Sequence, residues 1–332
     1  MISVIICTYN RCESLRGALH SLETMVVPAD SAWEVVVIDN NSTDKTSEMV
    51  GGFLTRGTLP LKYIFEPISG VSTARNRGIR ESKGELLAFL DDDVMVSRQW
   101  LIEVRNAFQQ YDAACVSGRV LLHEACPRPA WWHKSYDLAV GEFDRGTQVI
   151  VDESVVLFGI AANIIFKRTV FDRVGWFRTD LGRKKRQQAT GEETEVVERL
   201  RQQKQRLVYY PDALVYHCIP PQRFSKRYLR RHFYHLGQHY CLTEWDNPKL
   251  NHRILGVPLW QYRVVLTHLW RALLFLLTGR LTEFFFEHFE VLIFVGYFRA
   301  AQRVRRAKRS GLVWRLTCQL RQLVGLAVNR NA

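Results

Sequence analysis

No part of this chain stays uncharged for long. The longest run without Asp, Glu, Lys or Arg covers residues 154–166, thirteen residues, whereas a helix that crosses a bilayer needs about 18 or more apolar residues in succession. That argues against an integral membrane protein and leaves a surface-bound one open. Paired cysteines are lacking as well. The seven cysteines are odd in number, scattered, and without a Cys-x-x-Cys. They suit reduced thiols in a cytosolic protein, not a disulfide scaffold or a zinc ribbon. No basic segment precedes the first apolar run, so the sequence predicts no secretory signal. Neither G-x-G-x-x-G nor G-x-x-x-x-G-K-[ST] occurs, which disfavours a dinucleotide dehydrogenase and a P-loop ATPase. Finally, residues 299–332 hold nine Lys or Arg and no acid at all.

What is present is globular in kind. Of 332 residues, 47% are apolar and 24% charged, enough for a large core and against a disordered chain. The net charge of +13 is uneven: residues 1–120 carry 12 basic and 15 acidic side chains, and the remainder carries 34 and 18. A polyanionic partner is therefore plausible for the C-terminal part. The first 120 residues alternate short β-branched runs (2–7, 34–39, 62–65, 85–91, 114–120) with helical patterns near 12–24, 44–53, 71–82 and 98–110. This alternation predicts an α/β fold with a mainly parallel sheet flanked by helices. Ligands of such sheets bind at the carboxyl ends of the strands, and here those ends read CTYNR, DNNSTD and LDDD. Residues 121–157 are less regular and read as a loop insertion or flap. EETEVVERLRQQ reads as a helix, and RLVYY as a strand that leads to a Pro211-Asp212 turn. Residues 223–240 look helical, basic and aromatic, and residues 259–328 almost wholly helical.

The sharpest chemical feature is Asp91-Asp92-Asp93. Three carboxylates at one strand end repel one another, and a divalent, oxygen-seeking cation such as Mg²⁺ or Mn²⁺ would relieve them; the alternative is a solvated acidic turn. Asp39 ends the second strand, where a carboxylate can accept hydrogen bonds from a ribose or a base edge, while Ser42, Thr43 and Asp44 suit a helix N-cap. Arg75 and Arg77 fall in the first turns of a helix, a place for a phosphate or nucleobase; taken alone, each reads better as a surface arginine. Glu192 and Glu193 open a helix. Acids there favour the helix dipole, or one of them acts as a general base toward an attacking hydroxyl. His217 is either structural or, opposite a carboxylate cluster, a metal ligand.

In this order, the segments SVIICTYNR, VVVIDNNSTDKT, GVSTARNRGI, LLAFLDDDV, AANIIFKRTVFDRVGWF, GEETEVVERL and VYH resemble the family 2 glycosyltransferases of the GT-A fold, over roughly residues 1–240. The resemblance implies transfer of a sugar from a nucleotide-diphosphate donor, UDP among the commoner ones, to an acceptor hydroxyl with inversion. It places Thr8, Tyr9 and Asp39 at the base and ribose, Arg75 near base or phosphates, and a DxD motif on Asp91 and Asp93. Asp93 would bind Mn²⁺ or Mg²⁺, Asp91 would lie near ribose or metal, and Asp92, the middle residue, lines the donor site. The family's catalytic Asp falls on Glu193, one methylene longer, with Glu192 as the fallback. His217 matches a histidine that in some relatives helps hold metal or diphosphate. No Q-x-x-R-W is present, since QRFSKRY from Gln222 is not that motif, so single additions are expected rather than polymerisation.

By the same resemblance, residues 1–240 form the catalytic domain, with a nucleotide-binding half to about 120 and an acceptor half beyond it. Residues 121–157 and 180–190 would shape the acceptor site. Residues 241–332 form a helical, basic extension that either packs as a bundle or lies on an anionic membrane surface with Arg reaching headgroups. A cytoplasmic protein, peripheral on the inner face of the membrane, with a saccharide or lipid-linked acceptor and no nucleic-acid partner, is the resulting expectation for polysaccharide or glycolipid synthesis. Two other classes stay open. The basic-aromatic residues 223–240 could bind nucleic acid, which leaves Asp91–Asp93 unexplained, or the Glu at 193 could mark an inactive membrane-associated scaffold.

Overall fold

The computed structural model describes residues 1–123, 128–151, 159–184, 187–188, 191–245 and 252–309. In chain order the elements are β1 (Ile2–Thr8), α1 (Cys12–Thr24), β2 (Trp33–Asp39), α2 (Thr46–Arg56), β3 (Leu61–Phe65), α3 (Val71–Glu81), β4 (Leu86–Asp91), β5 (Val94–Val96), α4 (Trp100–Tyr111), β6 (Cys115–Leu122), β7 (Ile150–Val151), β8 (Asn163–Lys167), α5 (Thr169–Val174), β9 (Arg183–Lys184), β10 (Gln187–Gln188), α6 (Glu192–Gln202), β11 (Leu207–His217), α7 (Lys226–Glu244), β12 (Arg253–Ile254), β13 (Val257–Pro258), α8 (Leu259–Leu277) and α9 (Leu281–Arg309). They fall into two compact units: residues 1–128 with 134–223, and residues 129–133 with those from 224 onward. The boundary expected near residue 240 lies inside α7, one uninterrupted helix of the second unit.

The first unit is built on a nine-stranded sheet in the order β3-β2-β1-β4-β8-β6-β11-β5, with β7 beside β11. β1 to β4 run parallel, as the alternation of strands and helices predicts. β8 is inserted antiparallel between β4 and β6, so the sheet is mixed. The β-branched runs VII and VVVI are buried on both faces, which is why they lack the alternation of a half-exposed strand. One face packs α1 and α4 through Leu15, Leu19, Leu22, Trp100, Leu101 and Val104. The other packs α3, α5 and α6 through Ala74, Ile79, Phe171 and Val196. In α1 the buried Leu15, Ala18, Leu19 and Leu22 recur at helical spacing.

Three local expectations change. The Pro211-Asp212 pair does not end a strand: β11 runs through it and shifts register against β6 between Tyr210 and Val215, a bulge that spares the missing proline N–H a ladder partner. Ser42 and Thr43 do not cap α2, which begins at Thr46. The backbone N–H of Asn10 donates to Ser42 Oγ, and that of Thr43 donates to Asn10 Oδ1, so these groups join the loops after β1 and β2. Asp44 accepts from the N–H groups of Cys12 and Thr46, both at 3.1 Å, and so serves the first turns of α1 and α2 together.

In the second unit α7 crosses α9 at very close range. A Cβ added at Gly237 would run into the Ile293 backbone, and one at Gly296 into that of Tyr234; only paired glycines allow the approach. Phe233 stacks on Phe289 at 5.3 Å, so this aromatic of α7 serves helix packing. No described helix is long and apolar enough to cross a membrane. Asn247 and Pro248, expected to mark a linker, and residues 310–328 of the expected helical region lie outside the described residues.

Candidate active site

Two carboxylate clusters meet at the carboxyl edge of the sheet. The first is the turn between β4 and β5, which carries Asp91, Asp92 and Asp93. The second is the first turn of α6, which carries Glu192 and Glu193. Arg75 of α3 connects them. Its Nη1 lies 2.5 Å from Glu192 Oε1 and 3.7 Å from Glu193 Oε2, and its Nη2 lies 3.9 Å from Asp91 Oδ1. Arg75 is only 5% exposed, which corrects its reading as a surface arginine. A guanidinium so buried persists because it faces three carboxylates.

The three aspartates have different surroundings. The Asp91 side chain is 40% exposed, whereas Asp92 and Asp93 are buried. Asp92 accepts from Thr8 Oγ1 at 2.7 Å and from Arg11 Nη1 at 3.0 Å. Burial pushes its carboxyl up to about 6, against the charge of Arg11. Asp93 is also raised by burial, but the hydrogen bond and charge of His217, with Arg11 and Arg223, hold it well below the usual carboxylate range. Arg11 Nη1 lies 2.6 Å from Asp93 Oδ2, and Arg223 Nη2 lies 3.6 Å from the same oxygen.

His217 ends β11 with Nε2 2.9 Å from Asp93 Oδ1 and Nδ1 2.9 Å from the Gly141 carbonyl. The carbonyl orients the ring, so Nδ1–H donates to it and Nε2 faces the acid. Burial lowers the imidazole pKa, but Asp93 and Gly141 together raise it above its ordinary value. Gly141 cannot be another residue here: its φ is +84° and a Cβ would overlap the His217 ring. Asp91, Asp93 and His217 each offer one ligand atom, all within 4.8 Å of one another. That donor set, two carboxylates and an oriented imidazole, fits a divalent cation.

Glu192 and Glu193 differ in exposure and in how closely they hold Arg75, although each keeps its Oε2 without a hydrogen-bond partner among the described residues. Glu192 is buried and committed to Arg75. The Glu193 side chain is 18% exposed, and its Oε2 has no hydrogen-bond partner among the described residues. Burial and the neighbouring Glu192 charge push it up to about 7, with Arg75 pulling down.

The predicted nucleotide residues reach the same edge in different states. Asp39 is buried and already occupied: Oδ1 accepts from the Ser42 N–H at 2.8 Å and Oδ2 from the Tyr63 hydroxyl at 2.7 Å. It closes the turn after β2. Thr8 is buried against Asp92, and Tyr9 is exposed. Sequence patterns alone point to no role for Arg11, Arg223 or Gly141. Arg11 stands in the TYNR segment after β1 and Arg223 six residues past His217; the signal for both is that three adjacent acids need cations to face them.

A family model described as Glycosyl transferase family 2 matches residues 3–175, more than half of the chain. The chain belongs to glycosyl transferase family 2. This family 2 glycosyltransferase is 29% identical over 238 residues to the succinoglycan biosynthesis protein ExoM of Rhizobium meliloti, covering 71% of this chain and 73% of that one. It is 30% identical over 182 residues to the glycosyltransferase AglE of Haloferax volcanii, covering 54% and 57%. Among solved structures it resembles the mannosyltransferase PcManGT of Pyrobaculum calidifontis in complex with GDP-Man and Mn²⁺, at a TM-score of 0.54 and 20% identity over 98% of this chain and 80% of that one. It also resembles S. aureus TarS 1-349 in complex with UDP-GlcNAc, at 0.51 and 16% over 93% and 92%. At these identities the likeness establishes the fold: the GT-A architecture of a mostly parallel sheet between helices, followed by a helical region.

Proposed function

We propose that this glycosyltransferase moves a sugar, with inversion, from a nucleotide-diphosphate donor to an acceptor hydroxyl in polysaccharide or glycolipid synthesis, with a divalent cation at Asp91, Asp93 and His217 and Glu193 as the base. The observation that carries the reading is Arg75, which ties the available carboxylate Glu193 to Asp91 of the cation-competent cluster. A donor diphosphate at the cluster would therefore lie beside the group that takes the acceptor's proton. The imidazole nitrogen favours Mn²⁺ over Mg²⁺, which prefers oxygen ligands alone. The bound cation would supply positive charge to the departing diphosphate. That PcManGT binds GDP-Man and Mn²⁺ and TarS binds UDP-GlcNAc supports the donor class.

The residues divide the work. Asp93, held well below the usual carboxylate range, stays ionised at neutral pH. Thr8 and Arg11 fix Asp92 and thereby the turn that aims Asp91 and Asp93. Tyr9, Asp39 and Arg75 would border the base, ribose or phosphates. The acceptor oxygen forms its bond to the anomeric carbon on the face opposite the diphosphate. The old carbon–oxygen bond breaks, its electron pair leaves with the nucleoside diphosphate, and the acceptor proton passes to Glu193. No covalent enzyme intermediate is required. A carboxyl near 7 is matched to taking a proton at neutral pH. The Glu193–Arg75–Asp91 grouping favours this reading over an inactive scaffold, because it sets a carboxyl pushed up to about 7 beside a cation-competent cluster.

Calorimetric titration with UDP, GDP and dTDP, each with and without Mn²⁺, tests the proposal. One nucleotide is expected to bind in a Mn²⁺-dependent manner, and a folded sample that binds none of them would overturn it.

A further inference from the structure

α8 has the composition of a buried helix and the exposure of a surface one. Leu259, Trp260, Leu266, Trp270, Leu273 and Leu277 stand on its outward side, with Leu266 at 65%, Trp270 at 64% and Leu277 at 76% exposed. Leu259, Leu266, Trp270, Leu273 and Leu277 recur at intervals of three, four and seven, a single stripe of a helix. At 1.5 Å per residue the stripe runs about 28 Å. Exposed apolar stripes of this size mark an interface.

The charges around it select the occupant. α8 contains no acid, and Arg263, which falls on the same stripe, and Arg271 are exposed, Arg271 with Glu287 of α9 4.0 Å away. Arg280, paired with Glu283, follows the helix, and Arg303 and Arg306 are exposed near the end of α9. A second copy docked through α8 would bring arginine toward arginine with no carboxylate on either helix to pair them. An anionic bilayer surface satisfies both components: leucines enter the acyl boundary, tryptophans sit at the headgroup level, and arginines reach the phosphates. The two arginines within α8 fit a helix that lies in the interface plane, not across it.

We propose that the outward face of α8 is a membrane-interface element that binds an anionic lipid surface. The inference stands on α8 and the arginines near it and does not depend on the donor, the acceptor or the transfer reaction.

Flotation of the full chain, without nucleotide, with vesicles of phosphatidylcholine alone and of phosphatidylcholine with phosphatidylglycerol tests it. The chain is expected to float with the anionic vesicles and far less with the neutral ones. Leu266→Glu combined with Leu273→Glu should weaken vesicle binding at least about tenfold. Arg263→Gln combined with Arg271→Gln should cut the preference for anionic lipid by about fivefold per arginine. Unchanged melting temperature and nucleotide binding would show that both variants fold. Equal flotation of wild type and the Glu variant, no flotation of the wild type, or a solution dimer that the Glu variant dissolves would each overturn the proposal, the last by assigning the face to a second copy.

Discussion

Asp93, buried, and Glu193, half-buried, are carboxyls at one sheet edge, yet their surroundings drive them apart. Asp93 faces two guanidinium groups, of Arg11 and Arg223, and the His217 imidazole, and is held ionised. Among the described residues Glu193 faces one cation, Arg75, which it shares with Glu192 and Asp91, and it is pushed up to about 7. The facing cations separate a fixed negative charge from a carboxyl that can exchange a proton near neutral pH. When neighbouring groups are pushed this far apart, their expected roles in proton transfer follow.

The harshest break of that contrast removes the fixed charge. Asp93→Asn is expected to abolish Mn²⁺-dependent nucleotide binding, and transfer with it, as read by calorimetry and product formation. Glu193→Gln should instead keep nucleotide binding and lower the transfer rate by about 10²- to 10⁴-fold, the usual worth of a positioned base. Equal transfer by the two variants would sink the division of roles. In the wild-type enzyme only ionised Glu193 accepts a proton, so kcat/KM should rise with pH to about 7 and level off above it. The Gln variant should lack that limb.

Less severe is a change behind the histidine. Gly141→Ala places a Cβ against the His217 ring at a backbone φ of +84°. The ring must turn away from Asp93. Loss of such a supporting contact lowers metal affinity by about 10- to 100-fold, so Mn²⁺ titration of nucleotide binding should move to higher concentration while saturation is still reached. An unchanged Mn²⁺ midpoint in a folded Gly141→Ala protein would remove His217 from the cation site.

Much of this edge is legible in the sequence. Continuous apolar runs ending in CTYNR, DNN and DDD are local patterns, and strand ends place ligands, so Asp91–Asp93 stand out by position. Long-range pairing is not legible there. Arg75 looks like a surface residue because the carboxylate that buries it lies 117 positions away in Glu192. Arg11 gains its meaning only when β1 pairs with β4 and sets it against Asp92 and Asp93, and Arg223 only when β11 brings His217 beside Asp93, 124 positions apart. Pro211 misleads for the opposite reason: a local turn signal is overridden by a sheet that absorbs it in a bulge.

The finest test leaves every proposed ligand and the base in place. Glu192→Gln removes the charge that helps hold Glu193 protonated and frees Arg75 Nη1, now bonded to Glu192 at 2.5 Å, to turn toward Glu193. Both effects stabilise ionised Glu193. The acidic limb of kcat/KM should therefore move below 7, with the plateau rate falling only modestly, since a weaker base is also a less effective one. Glutamine keeps the amide oxygen as an acceptor for Arg75, so the fold should survive. Loss of the limb together with most of the transfer would mean that Glu192 is the base and Glu193 its neighbour.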